Sequence, residues 1–315
     1  SFQTTENKTE GSKAESLMIA GLFLYCGQQY VELIEAIEKE GFSITDTHID
    51  ELSSHKASAQ KELVNMADAI KAHGWDGEWY LRAYDFYGNK VGSHENEEGK
   101  IFIESQGWCS MAQVGKEEGM PERALDSVKQ LLDSKHGMVL NYPAYTRYHI
   151  ELGEQSSYPM GYKENGGIFC HNNPLVIIGE TLCGRGNDAW EHYTKINPAW
   201  IEDQQLHRTE PYVYAQCLAG KESAKPGEAK NSWLTGTAAW NWLAITQHIL
   251  GIQPTYDGLV INPCIPASMK EFTVTRKFRE AEYTITVLNP NGKQMAEQPT
   301  VVAYKPGKHE VTVTL

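Results

Sequence analysis

Residues 14–39 read AESLMIAGLFLYCGQQYVELIEAIEK, and their spacing sets the fold class. Apolar side chains recur at helical intervals through Leu17, Ala20, Leu24, Val31, Ile34 and Ile37, and Gly41 supplies a stop. The pattern returns over 46–72, with Ile49, Leu52, Leu63, Met66, Ala67 and Ile70, and closes at His73-Gly74. Two such helices joined by a short connection make a helical hairpin. Further helices are predicted near Gln106, from Pro121 to Ser134, Asp188 to Thr194, Ala199 to Leu218 and Gly236 to Leu250, with long loops between Gly137 and Asn173. Pro121 suits the first turn of its helix.

After Gly251 the period changes to two. Phe272 to Thr275, Tyr283 to Val287, Val301 to Tyr304 and Glu310 to Leu315 alternate like strands, punctuated at Asn289-Pro290-Asn291-Gly292 and Pro306-Gly307. The expectation is a mainly α chain: a helical toroid over 1–250, its long loops lining a cleft, then a small β domain over 251–315. About seven helices are too few to close a toroid of paired helices.

The 315 residues carry 28 Lys+Arg against 41 Asp+Glu, a formal charge of −13, which argues against nucleic acid or anionic lipid as a partner. With 41% hydrophobic and 22% charged residues the chain buries a core and is not disordered. No uninterrupted apolar run approaches the roughly 18 residues of a membrane span, so none is expected. Cys26, Cys109, Cys170, Cys183, Cys217 and Cys264 are scattered without a CxxC pair, which points to reduced thiols and a cytoplasmic protein.

The densest chemistry lies in Gly153 to Pro174, GEQSSYPMGYKENGGIFCHNNP. Carboxylate, amide, ammonium and phenol groups interleaved this closely suit a sugar, whose hydroxyls need donors and acceptors together. The plainer alternative is a solvated loop in which Glu154 and Lys163 are surface charges. His171 lacks companions at metal-ligand spacing, so a metal is not expected; a hydrogen-bonding imidazole facing an anion fits better. Asn231 to Trp240 opens an apolar helix with Thr235, Gly236 and Thr237, leaving N–H groups free for an anion, or serving as a simple cap. Neither GxxxxGK[ST] nor GxGxxG nor GxSxG occurs.

Together these segments resemble the family 94 glycoside phosphorylases, the cellobiose and chitobiose phosphorylase group. Trp75 to Asp85, Gly99 to Trp108, Asn197 to Gln216 and Ser232 to Pro263 extend the likeness over nearly the whole chain. Glu154 to Tyr158 followed by Gly161-Tyr162-Lys163 looks most like the cellobiose-specific branch. The resemblance implies part of an (α/α)6 barrel followed by a small C-terminal β-sandwich or jelly-roll-like domain. It implies inverting phosphorolysis of cellobiose to α-glucose 1-phosphate and glucose, with inorganic phosphate as substrate and no cofactor. It assigns Glu154, Tyr158 and Lys163 to the departing sugar and His171, Gln216, Thr235 and Gly236 to phosphate, and it suggests a homodimer.

The family's general acid, an Asp in a Trp-Asn-Asp motif, has no counterpart in these 315 residues. The likeness places it just upstream of Ser1, so the chain is expected to be the C-terminal part of a phosphorylase, inactive without the N-terminal portion. A non-catalytic carbohydrate-binding remnant is one alternative. An inverting hydrolase using two of Asp76, Glu78, Asp85, Glu104 and Glu154 is another.

Overall fold

The computed structural model describes residues 14–40, 46–233 and 235–315. It divides into two compact units, one of residues up to Ser134 with 138–168 and 219–226, the other of 135–137, 169–218 and 227–315.

In the first unit the opening pattern forms α1 (Leu17–Glu40) and α2 (Asp46–His73). Gly27 lies against Leu63, Leu17 against Gly74, and Lys56 bonds Glu38, so the helices run antiparallel as the spacing predicts. The stop at Gly41 lies outside the described residues. α3 (Ile103–Met111) crosses α1, where a hydrogen-only side chain at Gly21 lets Trp108 and Cys109 approach. α4 (Met120–Ser127), with Pro121 in its first turn, widens into a π turn over Val128–Leu132.

Leu17, Leu24, Ile70, Tyr80, Leu81, Cys109, Val114 and Met120 fill the core between these elements. Tyr80 is completely buried, and its backbone N–H donates to Gln106 Oε1 while its carbonyl accepts from Gln106 Nε2. Burying a polar segment is tolerable because these groups find partners.

One helix bears on the expected absence of a membrane span. Over Leu17–Lys39, α1 is long and apolar enough to cross a membrane by length and composition. Counting uninterrupted apolar residues missed it, because Gln28 and Gln29 break the run without adding charge. In this unit the helix packs on α2 and α3.

In the second unit, α5 (Asn173–Leu182) and α6 (Gly186–Ile196) are joined by a buried pair, His192 Nδ1 to Glu180 Oε1 at 2.7 Å. Residues 199–218 do not form the predicted helix. They give a 3-10 turn (Pro198–Trp200), the four-residue α7 (Gln204–His207) and a strand, β1 (Ala215–Leu218). β1 pairs antiparallel with β2 (Ala229–Ser232). The local sequence is compatible with either state, and the cross-strand ladder decides it. α8 (Thr235–Leu243) follows and widens into a π segment over Ala244–Ile249.

The remaining strands are β3 (Ile252–Pro254), β4 (Gly258–Ile261), β5 (Glu271–Phe278), β6 (Ala281–Leu288), β7 (Thr300–Ala303) and β8 (Gly307–Thr314). β4 lies between β3 and β7, antiparallel to both. β6 lies between β5, antiparallel, and β8, parallel. The period of two in β6 buries Ala281, Tyr283, Ile285 and Val287 and leaves their neighbours half-exposed. The fold class is thus helices followed by a region of sheet.

Candidate functional site

In the first unit, Glu154 sits in a short 3-10 turn (Gly153–Ser157) and accepts a 3.1 Å hydrogen bond from the Tyr158 hydroxyl. That bond, with desolvation second, raises the Tyr158 pKa above that of a free phenol. Lys163 follows in a left-handed conformation, φ 51°. Its carbonyl accepts from the Gly167 N–H, and a Cβ at Gly167 would lie 2.6 Å from that oxygen.

The segment is built around Asn165, which is fully buried. Its Oδ1 accepts from Tyr145 N at 2.6 Å, and its Nδ2 donates to the carbonyls of Tyr145 and Tyr158 at 2.8 and 2.7 Å. Gly161 turns with φ 78°, and a Cβ there would meet the Ser223 backbone at 2.3 Å. These are the constraints of a positioned loop, and a freely solvated one would not need them. Nothing in the sequence reading singled out Asn165; the signal was Asn-Gly-Gly, a turn signature whose first member is able to bond its surrounding backbone.

In the second unit, three links meet at the Ala215-Gln216 end of β1. The Cys170 N–H, one residue before His171, donates to the Gln216 carbonyl at 2.9 Å. The Thr237 hydroxyl, one residue after Gly236, donates to the Ala215 carbonyl at 3.2 Å. Asn231 Nδ2 donates to Gln216 Oε1 at 2.8 Å. The backbones carrying His171, Gln216 and Gly236 are thereby drawn to one strand end, although they are far apart in sequence.

Gly236 lies in the first turn of α8 with open space on its Cα face. Thr235 begins that helix, and its side chain lies outside the described residues. His171 is half-buried, edge-on to the Phe169 ring at 5.6 Å between centroids, and burial pushes its pKa below the usual imidazole value. Among the described residues no group of three or more His, Cys, Asp or Glu side chains could hold a metal ion.

Of the carboxylates considered for hydrolysis, Asp76, Asp85 and Glu104 are engaged by other protein groups. Asp76 accepts from Ser93 Oγ, His94 N and His94 Nδ1. Asp85 takes the N–H groups of Tyr87 and Asn89 and the Asn89 amide. Glu104 is buried against Arg82 at 3.4 Å.

A family model described as "Glycosyl hydrolase 94 superfamily, catalytic domain" matches residues 4–251. The chain belongs to this family. It is similar to the solabiose phosphorylase of Paenibacillus borealis, 39% identical over 242 residues, covering 74% of this chain and 31% of the relative. The N,N'-diacetylchitobiose phosphorylase of Vibrio proteolyticus is 34% identical over 280 residues, covering 88% of this chain and 33% of its own length. That of Vibrio furnissii is 37% identical over 262 residues, covering 80% and 32%. The chain spans about a third of the length of these relatives. A solved glycosidase variant in complex with glucose aligns over 75% of this chain and 52% of its own length at 9% identity and a TM-score of 0.47.

Proposed function

We propose that the chain is the acceptor-sugar and phosphate-binding part of an inverting disaccharide phosphorylase, with cellobiose as the disaccharide. Under this reading residues 1–250 belong to an (α/α)6 barrel and 251–315 form a β domain. Glu154, Tyr158 and Lys163 hold the departing glucose, and His171, Gln216, Thr235 and Gly236 hold phosphate. A phosphate oxygen attacks the anomeric carbon as the bond to the glycosidic oxygen breaks. The electron pair leaves with that oxygen, which takes a proton from a carboxylic acid. Phosphate is itself the nucleophile, so no second carboxylate is needed to activate water. The acid is not supplied by a Trp-Asn-Asp motif in these 315 residues, so the reading requires the N-terminal portion of the enzyme. A reducing compartment fits the six free thiols, and a homodimer rests on the resemblance alone.

The observation that carries the reading is the meeting of the His171, Gln216 and Gly236 backbones at the end of β1. An imidazole, an amide and backbone N–H groups are the donors an oxyanion needs. The relatives act on solabiose and N,N'-diacetylchitobiose, so the disaccharide is an arm of the test. The chain co-expressed with an upstream segment bearing Trp-Asn-Asp should release glucose 1-phosphate from cellobiose faster than from those two sugars. A preference for either of them corrects the substrate. Absence of phosphate dependence with every sugar overturns the function.

The His171 pKa adds a prediction. Burial holds the imidazole neutral near pH 7 when no anion is bound, and a phosphate beside it restores the proton. Phosphate binding at pH 7 should therefore take up protons, seen as a calorimetric enthalpy that varies with the buffer's ionisation enthalpy. His171→Gln should reduce that variation, leaving the part due to phosphate's own ionisation, and weaken binding about tenfold.

A further inference from the structure

We infer that Asn231 is a positioning residue that orients the Gln216 side-chain amide toward the phosphate, an inference that rests on the phosphate site proposed above. The pairs Ala215↔Ser232 and Cys217↔Lys230 set Asn231 directly across the ladder from Gln216. Asn231 Nδ2 donates to Gln216 Oε1 at 2.8 Å. A primary amide has one oxygen and one NH2 group. With the oxygen engaged by Asn231, the Gln216 nitrogen is the end left to face a ligand, and it offers N–H donors. Turned the other way, Gln216 would point an oxygen at an anion and repel it.

The backbone of this segment is held in an uncommon state. Asn231 has φ 55° and Trp233 has φ 69°, two non-glycine residues in the left-handed region within three positions. Conformations of this kind persist where surrounding contacts over-determine them. Those contacts are the Asn231–Gln216 bond and the bond from Trp233 Nε1 to Glu210 Oε1 at 2.9 Å. Asn is among the few residues that reach this region readily, and it also carries the donor.

The test uses a substitution that separates backbone from side chain. Glycine adopts φ 55° without strain, so Asn231→Gly removes the amide and keeps the turn. Inorganic phosphate is titrated into the chain, with sulfate in parallel, while the 15N signal of the Gln216 side-chain NH2 is followed. The expected result is a phosphate Kd about tenfold weaker in Asn231→Gly, unchanged thermal stability, and a Gln216 NH2 signal that no longer shifts as one sharp species. Gln216→Ala should lose affinity at least as much, and the double variant should lose no more than Gln216→Ala alone. If Gln216→Ala weakens phosphate binding and Asn231→Gly does not, the positioning role is overturned and the phosphate site stands. If the unsubstituted chain binds no phosphate, or Gln216→Ala leaves binding unchanged, the phosphate reading falls and this inference falls with it.

Discussion

Asn165 shows how one buried side chain gives a polar loop its shape. It has no exposed surface and joins Tyr145 N, Tyr145 O and Tyr158 O. Replacing it with Asp keeps the acceptor and removes both donors, leaving two carbonyls unpaired and a carboxylate without solvent. Each stranded buried group costs about 1–3 kcal/mol, so Asn165→Asp should destabilise the unit by ~3 kcal/mol or more. Urea unfolding measures this, and hydrogen exchange should show the loss concentrated between 145 and 165. His248, in the π segment after α8, is a second case. Burial without a partner for its Nδ1 lowers the imidazole from 6.5 to about 4. An imidazole with a depressed folded pKa leaves the unfolded chain binding more protons. Stability is therefore full above about pH 6.5 and declines as the pH falls toward about 4. The full loss is about 3 kcal/mol. Glu180 in the same unit has a carboxyl raised by burial, against the pull of His192, and acts in the opposite sense. Comparing thermal melts at pH 7 and 4.5 isolates the histidine, since His248→Leu should show a smaller drop than the unsubstituted chain.

Among the elements, α1 carries two glycines whose surroundings predict opposite outcomes. Gly→Ala in a helix interior ordinarily stabilises by up to about 1 kcal/mol. At Gly21 a Cβ would lie 2.9 Å from Trp108 Cβ and 3.0 Å from Cys109 N, in the face where α3 crosses. Backbone cannot yield there, overpacking of this kind costs about 1–3 kcal/mol, and Gly21→Ala should destabilise. At Gly27 the close neighbour is the tip of Leu63, at 2.5 Å from Cδ2. Leu63 can turn to another rotamer, so Gly27→Ala should be neutral or stabilising. Chemical unfolding of the two variants checks the pair. The sequence made α1 and α2 legible because their apolar period repeats over many turns, and β5, β6 and β8 legible because alternation needs no partner to be seen. It misled over 199–218, where β1 exists through its ladder with β2 and the local propensity does not decide. At the candidate site, residue types at Glu154, Tyr158 and His171 prompted the proposal of sugar and anion chemistry. Asn165, Asn231 and Glu210 stayed hidden because their roles are contacts with segments remote in sequence.

At the scale of the molecule, the first unit leaves one apolar face open. Ile19, Phe23, Tyr30 and Leu33 on α1 are 52%, 41%, 42% and 41% exposed. A depression of about 700 Å³ between α1 and α2 is lined by Leu17, Ile19, Phe23, Met66 and Ile70, and a second of about 550 Å³ lies beside it along Leu22, Cys26, Gly27 and Leu63. Scattered exposed hydrophobics are ordinary, but a contiguous stripe is not. The net charge of −13 opposes association through long-range repulsion, and salt screens that repulsion within about 8–10 Å while leaving burial of apolar surface intact. Association of the chain should therefore rise with ionic strength, the reverse of an interaction driven by ion pairs. Sedimentation velocity from 0.02 to 0.5 M NaCl should show growing oligomer fractions for the unsubstituted chain. Ile19→Lys with Phe23→Ser should remove them, because both positions are exposed and neither contributes to the buried core. A monomer at every salt concentration would show that the stripe is too well dispersed among polar groups to drive association.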